Sequence, residues 1–127
     1  MCQRMQQQHP IETLTAVTTA EQIVKCQRGV REIRVGSDVC DFLVALTRAT
    51  REHSALRLGA SPRGSLGLFR AAQSLAAIQG DSQATVEHVK AVVEPVLAHR
   101  LLLRREALQD YPDGSAVIRE IVAKLVG

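Results

Sequence analysis

The sequence predicts an all-α fold, a small helical bundle with room for one very short two-stranded pairing. Three observations point there. Apolar residues make up 46% of the 127 residues and aromatics only 2%, so the core must be built from Leu, Val, Ile and Ala, a composition that leans towards helix. Apolar side chains recur at spacings of three and four along several stretches. Each stretch opens on a residue able to cap a helix: Thr18, Ser37, Ser61, Thr85 and Ser115.

Residues 1–17 are a polar, glutamine-rich lead ending beyond His9-Pro10. The proline blocks helix propagation and biases His9 to an extended shape, so this segment reads as a connector. A first helix is expected over Thr18–Arg31, with Thr18 and Glu21 as a capping box and Ile23, Val24, Gln27 and Val30 as its buried stripe. Ile33–Val35 alternates like a short strand. Ser37 caps a second helix to about Glu52; Asp38 and Asp41 in its first turn and Arg48 and Arg51 in its last match the helix dipole. Residues 53–60 form a loop. Ser61 and Pro62 open a third helix that runs to Gln79, with Leu66, Phe69, Ala72, Leu75 and Ala76 inward and Gly80 as its left-handed stop. Thr85 caps a fourth, over Val86–Val93, which Pro95 interrupts. Leu101–Leu103, if extended, would pair with Ile33–Val35. A turn cluster, Asp110–Gly114, precedes a final helix capped by Ser115, with Ile118, Ile121, Val122 and Leu125 on one face. The division is thus 1–17 connector, 18–110 helical domain, and 111–127 a turn and helix that packs on that domain or on a neighbour.

Sixteen basic and thirteen acidic side chains leave a net charge of +3. The arginines are scattered, and no block has the length of a nucleic-acid tail. Cys2, Cys26 and Cys40 match no zinc spacing; Cys26 and Cys40 sit among apolar residues and read as buried or inert thiols of a reducing compartment. No signal pattern is visible, and no apolar run approaches the roughly 20 residues of a membrane span. The expected location is the cytoplasm.

Gly59-Ala-Ser-Pro-Arg-Gly64 starts a helix and then breaks its rules. Arg63 lies in the first turn, where an exposed cation is unfavourable by roughly 0.3–1 kcal/mol. Gly64 and Gly67 follow, each about 1 kcal/mol worse than alanine inside a helix. A bound anion would remove the conflict, with free N–H groups and the Arg63 guanidinium converging on it. The alternative is an exposed arginine and glycines kept for helix–helix packing.

These residues carry a resemblance. Residues 9–14 (His-Pro-Ile-Glu-Thr-Leu), 27–35 (Gln-Arg-Gly-Val-Arg-Glu-Ile-Arg-Val), 41–51, 58–64 (Leu-Gly-Ala-Ser-Pro-Arg-Gly) and 96–101 follow one another as in the C-terminal lid of MoxR-type AAA+ ATPases, which the chain resembles over roughly 100 of its 127 residues. The resemblance implies an AAA+ lid bundle and makes Arg63 the sensor 2 arginine that reaches the γ-phosphate of ATP, with Ser61, Pro62 and Gly64 shaping the helix start. It implies that residues 1–17 connect to an ATPase core holding ATP and Mg²⁺, that the fragment alone is no enzyme, and that it holds no metal and has no catalytic residue. Its partners would be that core, neighbouring subunits of a ring, and a von Willebrand A domain protein in a chaperone-like system, with no nucleic acid and no membrane. The chain contains no Gly-x-x-x-x-Gly-Lys-Ser/Thr loop.

Other candidates read as structural. His99-Arg100 also fits the family and closes an apolar run; His53 and His88 read as surface histidines; Glu87 and Lys90 read as a helix-surface pair. Two other function classes remain open on sequence: a helical nucleic-acid-binding domain, and a protein–protein interaction bundle in which Arg63 is incidental.

Overall fold

The computed structural model describes residues 10–127; Cys2 and the lead as far as His9 lie outside the described residues. Five α-helices are present among them: α1 (Ala20–Glu32), α2 (Ser37–Glu52), α3 (Pro62–Gln79), α4 (Val86–Leu97) and α5 (Gly114–Val126). Four two- or three-residue strands interleave with them: β1 (Arg34–Val35), β2 (Leu56–Leu58), β3 (Gln83–Ala84) and β4 (Leu102–Leu103). The fold is therefore the expected small helical bundle.

The core forms where four amphipathic helices turn their apolar stripes on one another. Leu46 of α2, Leu68 of α3, Leu97 of α4 and Ile118 of α5 are fully buried at its centre, with Val39, Val89, Val93 and Val117 around them. The last helix contributes Val117, Ile118 and Ile121 to this same core. It starts at Gly114, capped by Asp113 rather than Ser115: the Asp113 carboxylate accepts from the Ala116 N–H at 2.9 Å.

Several expectations are corrected by the packing. The α1 capping box is one residue later, Thr19 with Gln22: Thr19 Oγ1 accepts the Gln22 N–H at 3.3 Å and Gln22 Oε1 accepts the Thr19 N–H at 2.9 Å. The expected stripe of α1 is not buried; no residue of α1 is, and Ile23 and Val24 are 47% and 43% exposed. α1 is held at its end instead, where buried Gln73 of α3 donates to the Ile33 carbonyl at 2.8 Å.

Leu66, expected inside α3, is 68% exposed, and Gly64, Leu68, Ala72, Gln73 and Ala76 face inward. The stripe at intervals of four, Gly64, Leu68, Ala72 and Ala76, faces the core instead, and at Gly64 the lack of a side chain lets α4 approach closely. Gly80 is the left-handed stop of α3, at φ +83°.

Pro95 does not interrupt α4, which runs unbroken to Leu97. Val93 and Leu97 are both buried, one on each side of the proline; continuing the helix keeps both in the core, which offsets the hydrogen bond that proline cannot donate. Leu101–Leu103 does not meet Ile33–Val35. β1 pairs in parallel with β3, and β4 pairs antiparallel with β2, so there are two short pairings rather than one.

A polar cluster ties the end of α2 to α5 and to the turn that precedes it. Glu120 of α5 accepts from Lys124 and from the Tyr111 hydroxyl; His53 Nε2 stands 3.6 Å from the same carboxylate and meets the Tyr111 ring edge-on. Lys124 first, and Tyr111 next, hold the Glu120 pKa down at about 2, against an ordinary 4.5. A carboxylate whose pKa is lowered on folding contributes stability above its unfolded pKa and loses it as pH falls through the folded value. The stability advantage of the wild-type chain over Glu120→Gln should therefore be full above about pH 4.5 and shrink progressively towards pH 2. Urea denaturation of both chains across that range checks it; an advantage independent of pH would contradict it.

Candidate functional site

The start of α3 is fixed from below by the last turn of α2. Thr50 is fully buried; its hydroxyl donates to the Thr47 carbonyl at 2.7 Å and accepts the Ala60 N–H at 2.9 Å. Arg51 Nε donates to the Ala60 carbonyl at 2.8 Å. Both backbone groups of Ala60 are thereby held by side chains of α2. Gly59 lies so close to α2 that an added Cβ would stand 2.5 Å from the Thr50 carbonyl oxygen. Sequence alone does not point to Thr50, Arg51 and Gly59 as positioning residues, although Thr47 and Thr50 do continue the inward spacing of Leu43 and Leu46.

Ser61 caps the helix: its Oγ accepts the Gly64 N–H at 3.2 Å, and its carbonyl accepts the Ser65 N–H at 3.1 Å. Pro62 has no N–H. The free N–H groups expected to converge on an anion thus reduce to that of Arg63. Gly64 is buried, and an added Cβ there would meet Leu97 Cδ2 at 3.2 Å. Its lack of a side chain serves the contact between α3 and α4, so helix packing accounts for this glycine. An added Cβ at Gly67 would make an ordinary contact with Val96 at 3.9 Å.

Arg63 stays without such a reason. Its side chain is exposed and makes no hydrogen bond or ion pair with any described residue. The first turn of α3 has no acidic residue to offset the positive helix end. Next to it, Leu43, Val44, Thr47, Arg51, Pro62 and Leu66 line an open groove of about 500 Å³, with Val44 and Leu66 exposed. The residues present fit a contact with one anionic group rather than an enclosed nucleotide. Among the described residues no group of three His, Cys, Asp or Glu side chains is placed to hold a metal ion.

The family model for the AAA lid domain matches residues 48–121, from the last turn of α2 into α5. The chain belongs to the AAA lid domain family. YeaC of Bacillus subtilis is 33% identical to this lid over 115 residues, which cover 91% of the chain and 36% of YeaC. Chaperone MoxR1 of Mycobacterium tuberculosis is 36% identical over 91 residues, 65% of the chain and 24% of MoxR1. The fold recurs in a crystal structure of a candidate ATPase from Cytophaga hutchinsonii, with a TM-score of 0.77 at 23% identity over 82% of the chain and 34% of that protein. With these relatives the lid is of the MoxR type. It spans about a third or less of their length.

The other residues singled out in the lid are not gathered with Arg63. His88 is buried rather than on the surface: its Nδ1 accepts the Thr85 N–H at 3.0 Å, completing the α4 cap, and its Nε2 faces Asp81 at 3.1 Å. His53 is half-buried in the Glu120 cluster. Cys26 is exposed because α1 buries nothing, and Cys40 is half-buried; both are free thiols. His99 is exposed, and its Nε2 accepts from Arg100 Nε at 3.2 Å. Glu87 and Lys90 form the expected helix-surface pair at 2.7 Å. No helix among the described residues is long and apolar enough to cross a membrane.

Proposed function

We propose that this lid is the nucleotide-sensing module of a MoxR-type AAA+ ATPase, with Arg63 as its sensor 2 residue. The observation that carries the reading is the exposed guanidinium of Arg63, without a partner among the described residues, at the start of a helix that has no carboxylate in its first turn. Together they are an electropositive point that the fold does not use internally.

Arg63 reaches across a cleft to the γ-phosphate of ATP, which a P-loop core of the same protein holds with Mg²⁺. The nucleotide and its metal supply the charge that Arg63 reads, and cleavage of the terminal phosphate removes it. Thr50 and Arg51 fasten the Ala60 backbone to α2 and Gly64 seats α3 on Leu97, so a pull on Arg63 moves the bundle as one body. The groove lined by Val44 and Leu66 beside it is the face the core covers when the lid closes. The parent protein is an ATPase of the cytoplasm that assembles as a ring from its own cores and neighbouring subunits. It works in a chaperone-like system with a von Willebrand A domain protein and without nucleic acid.

The test is lid movement in the intact ATPase. Fluorophores on Cys26 of the lid, which is exposed, and on the core should move closer with a non-hydrolysable ATP analogue than with ADP. Arg63→Ala should lose that difference. A nucleotide-dependent change of equal size in the variant would refute the role of Arg63.

A further inference from the structure

On a different surface, β2 and β4 bring arginines and leucines to one groove. Arg57 projects from β2; Leu102, Arg104, Arg105 and Leu108 come from β4 and the turn after it. They line a groove of about 390 Å³ together with Glu106. Leu102 and Leu108 are 49% and 51% exposed. The side chains of Arg57, Arg104 and Arg105 are exposed and form no ion pair with any described residue. The platform is fixed, because the Arg104 N–H donates to the Ala55 carbonyl at 2.9 Å next to the pairing of β2 with β4. Three guanidinium groups with no ion-pair partner among the described residues surround two half-exposed leucines, a mixed cationic and apolar surface of the kind enriched at protein interfaces.

We propose that this groove binds an acidic, leucine-bearing segment of a partner protein. Carboxylates would match the three guanidinium forks, and aliphatic side chains would cover Leu102 and Leu108. The chemistry favours a peptide over a nucleic acid. No aromatic side chain lines the groove for base stacking, and the half-exposed Leu102 and Leu108 offer apolar area that a sugar–phosphate backbone would leave uncovered. The inference goes beyond nucleotide sensing and does not rest on Arg63.

Fluorescence anisotropy with the 127-residue chain tests it, using a labelled short peptide of glutamate and leucine. Controls are the same peptide with serine for leucine and a single-stranded DNA of equal charge. Binding of the first peptide should weaken by about tenfold or more in Arg57→Glu/Arg105→Glu and by about the same factor when serine replaces leucine, roughly what loss of two or three rim contacts allows. Arg28→Glu/Arg31→Glu on α1, an equal charge reversal away from the groove, should change it little. No binding of the first peptide, equal binding of the serine peptide, an equal loss in Arg28→Glu/Arg31→Glu, or tighter binding of the DNA would each overturn the proposal.

Discussion

Replacing Arg63 by alanine in the intact ATPase is expected to lower ATP turnover by on the order of 10- to 100-fold while leaving the lid as stable as before. A hydrogen bond to a charged group contributes about 1.5–3 kcal/mol, and each 1.4 kcal/mol removed from a transition state is a factor of about ten in rate. The Arg63 side chain is exposed and makes no hydrogen bond or ion pair with a described residue, so truncation should leave unfolding within about 0.5 kcal/mol, as for surface positions generally. Arg63→Lys should recover only part of the loss, because an ammonium keeps the charge but not the planar fork. Steady-state hydrolysis measured beside thermal unfolding separates the two effects. Loss of turnover with equal loss of stability would make Arg63 structural.

Gly59→Ala should have the largest effect on the lid itself, about 3 kcal/mol of stability and a melting midpoint lower by roughly 10 °C. The new Cβ would lie 2.5 Å from the Thr50 oxygen, 2.6 Å from its carbon and 2.7 Å from Arg51 Cα. All are backbone atoms of a helix, so nothing nearby can swing aside. Relief requires the β2–α3 connection to lift off α2, breaking the hydrogen bonds of Thr50 and Arg51 to Ala60 and shifting the base on which Arg63 stands. Gly67→Ala is the matched control. Its Cβ meets only Val96 at 3.9 Å, and alanine gains up to about 1 kcal/mol over glycine inside a helix. Circular-dichroism melting should place the two substitutions on opposite sides of the wild type, or Gly67→Ala level with it. Similar losses in both would show that the close approach at Gly59 does not limit the fold.

The parts of this structure that local chemistry decides were legible in the sequence. Ser61-Pro62 and Gly80 bound α3 because capping and a left-handed stop are settled within a few residues. α2 is announced by its end charges, Asp38 in the first turn and Arg51 in the last. What depends on distant partners was not. The rotation of α3, which exposes Leu66 and buries Leu68, is chosen by how near α4 can come. Two-residue strands have no periodicity, so nothing local says that Leu102–Leu103 pairs with β2. Pro95 breaks a helix by its own preference, and only the burial of Val93 and Leu97 overrules it.

At the site, the misplaced charge of Arg63 was visible because it contradicts the helix around it. Gly64 looked like part of the same anomaly, yet it answers to Leu97 across the interface. The hold of Thr50 and Arg51 on Ala60 joins residues nine and ten apart in the chain, and no local pattern announces it.

The most direct measurement is a structure of the intact ATPase with a non-hydrolysable ATP analogue. The Arg63 guanidinium should lie within hydrogen-bonding distance, about 2.7–3.2 Å, of a γ-phosphate oxygen in at least the closed subunits. A bound analogue whose γ-phosphate is reached by other cations while Arg63 points to solvent in every subunit would contradict the role assigned to this helix start.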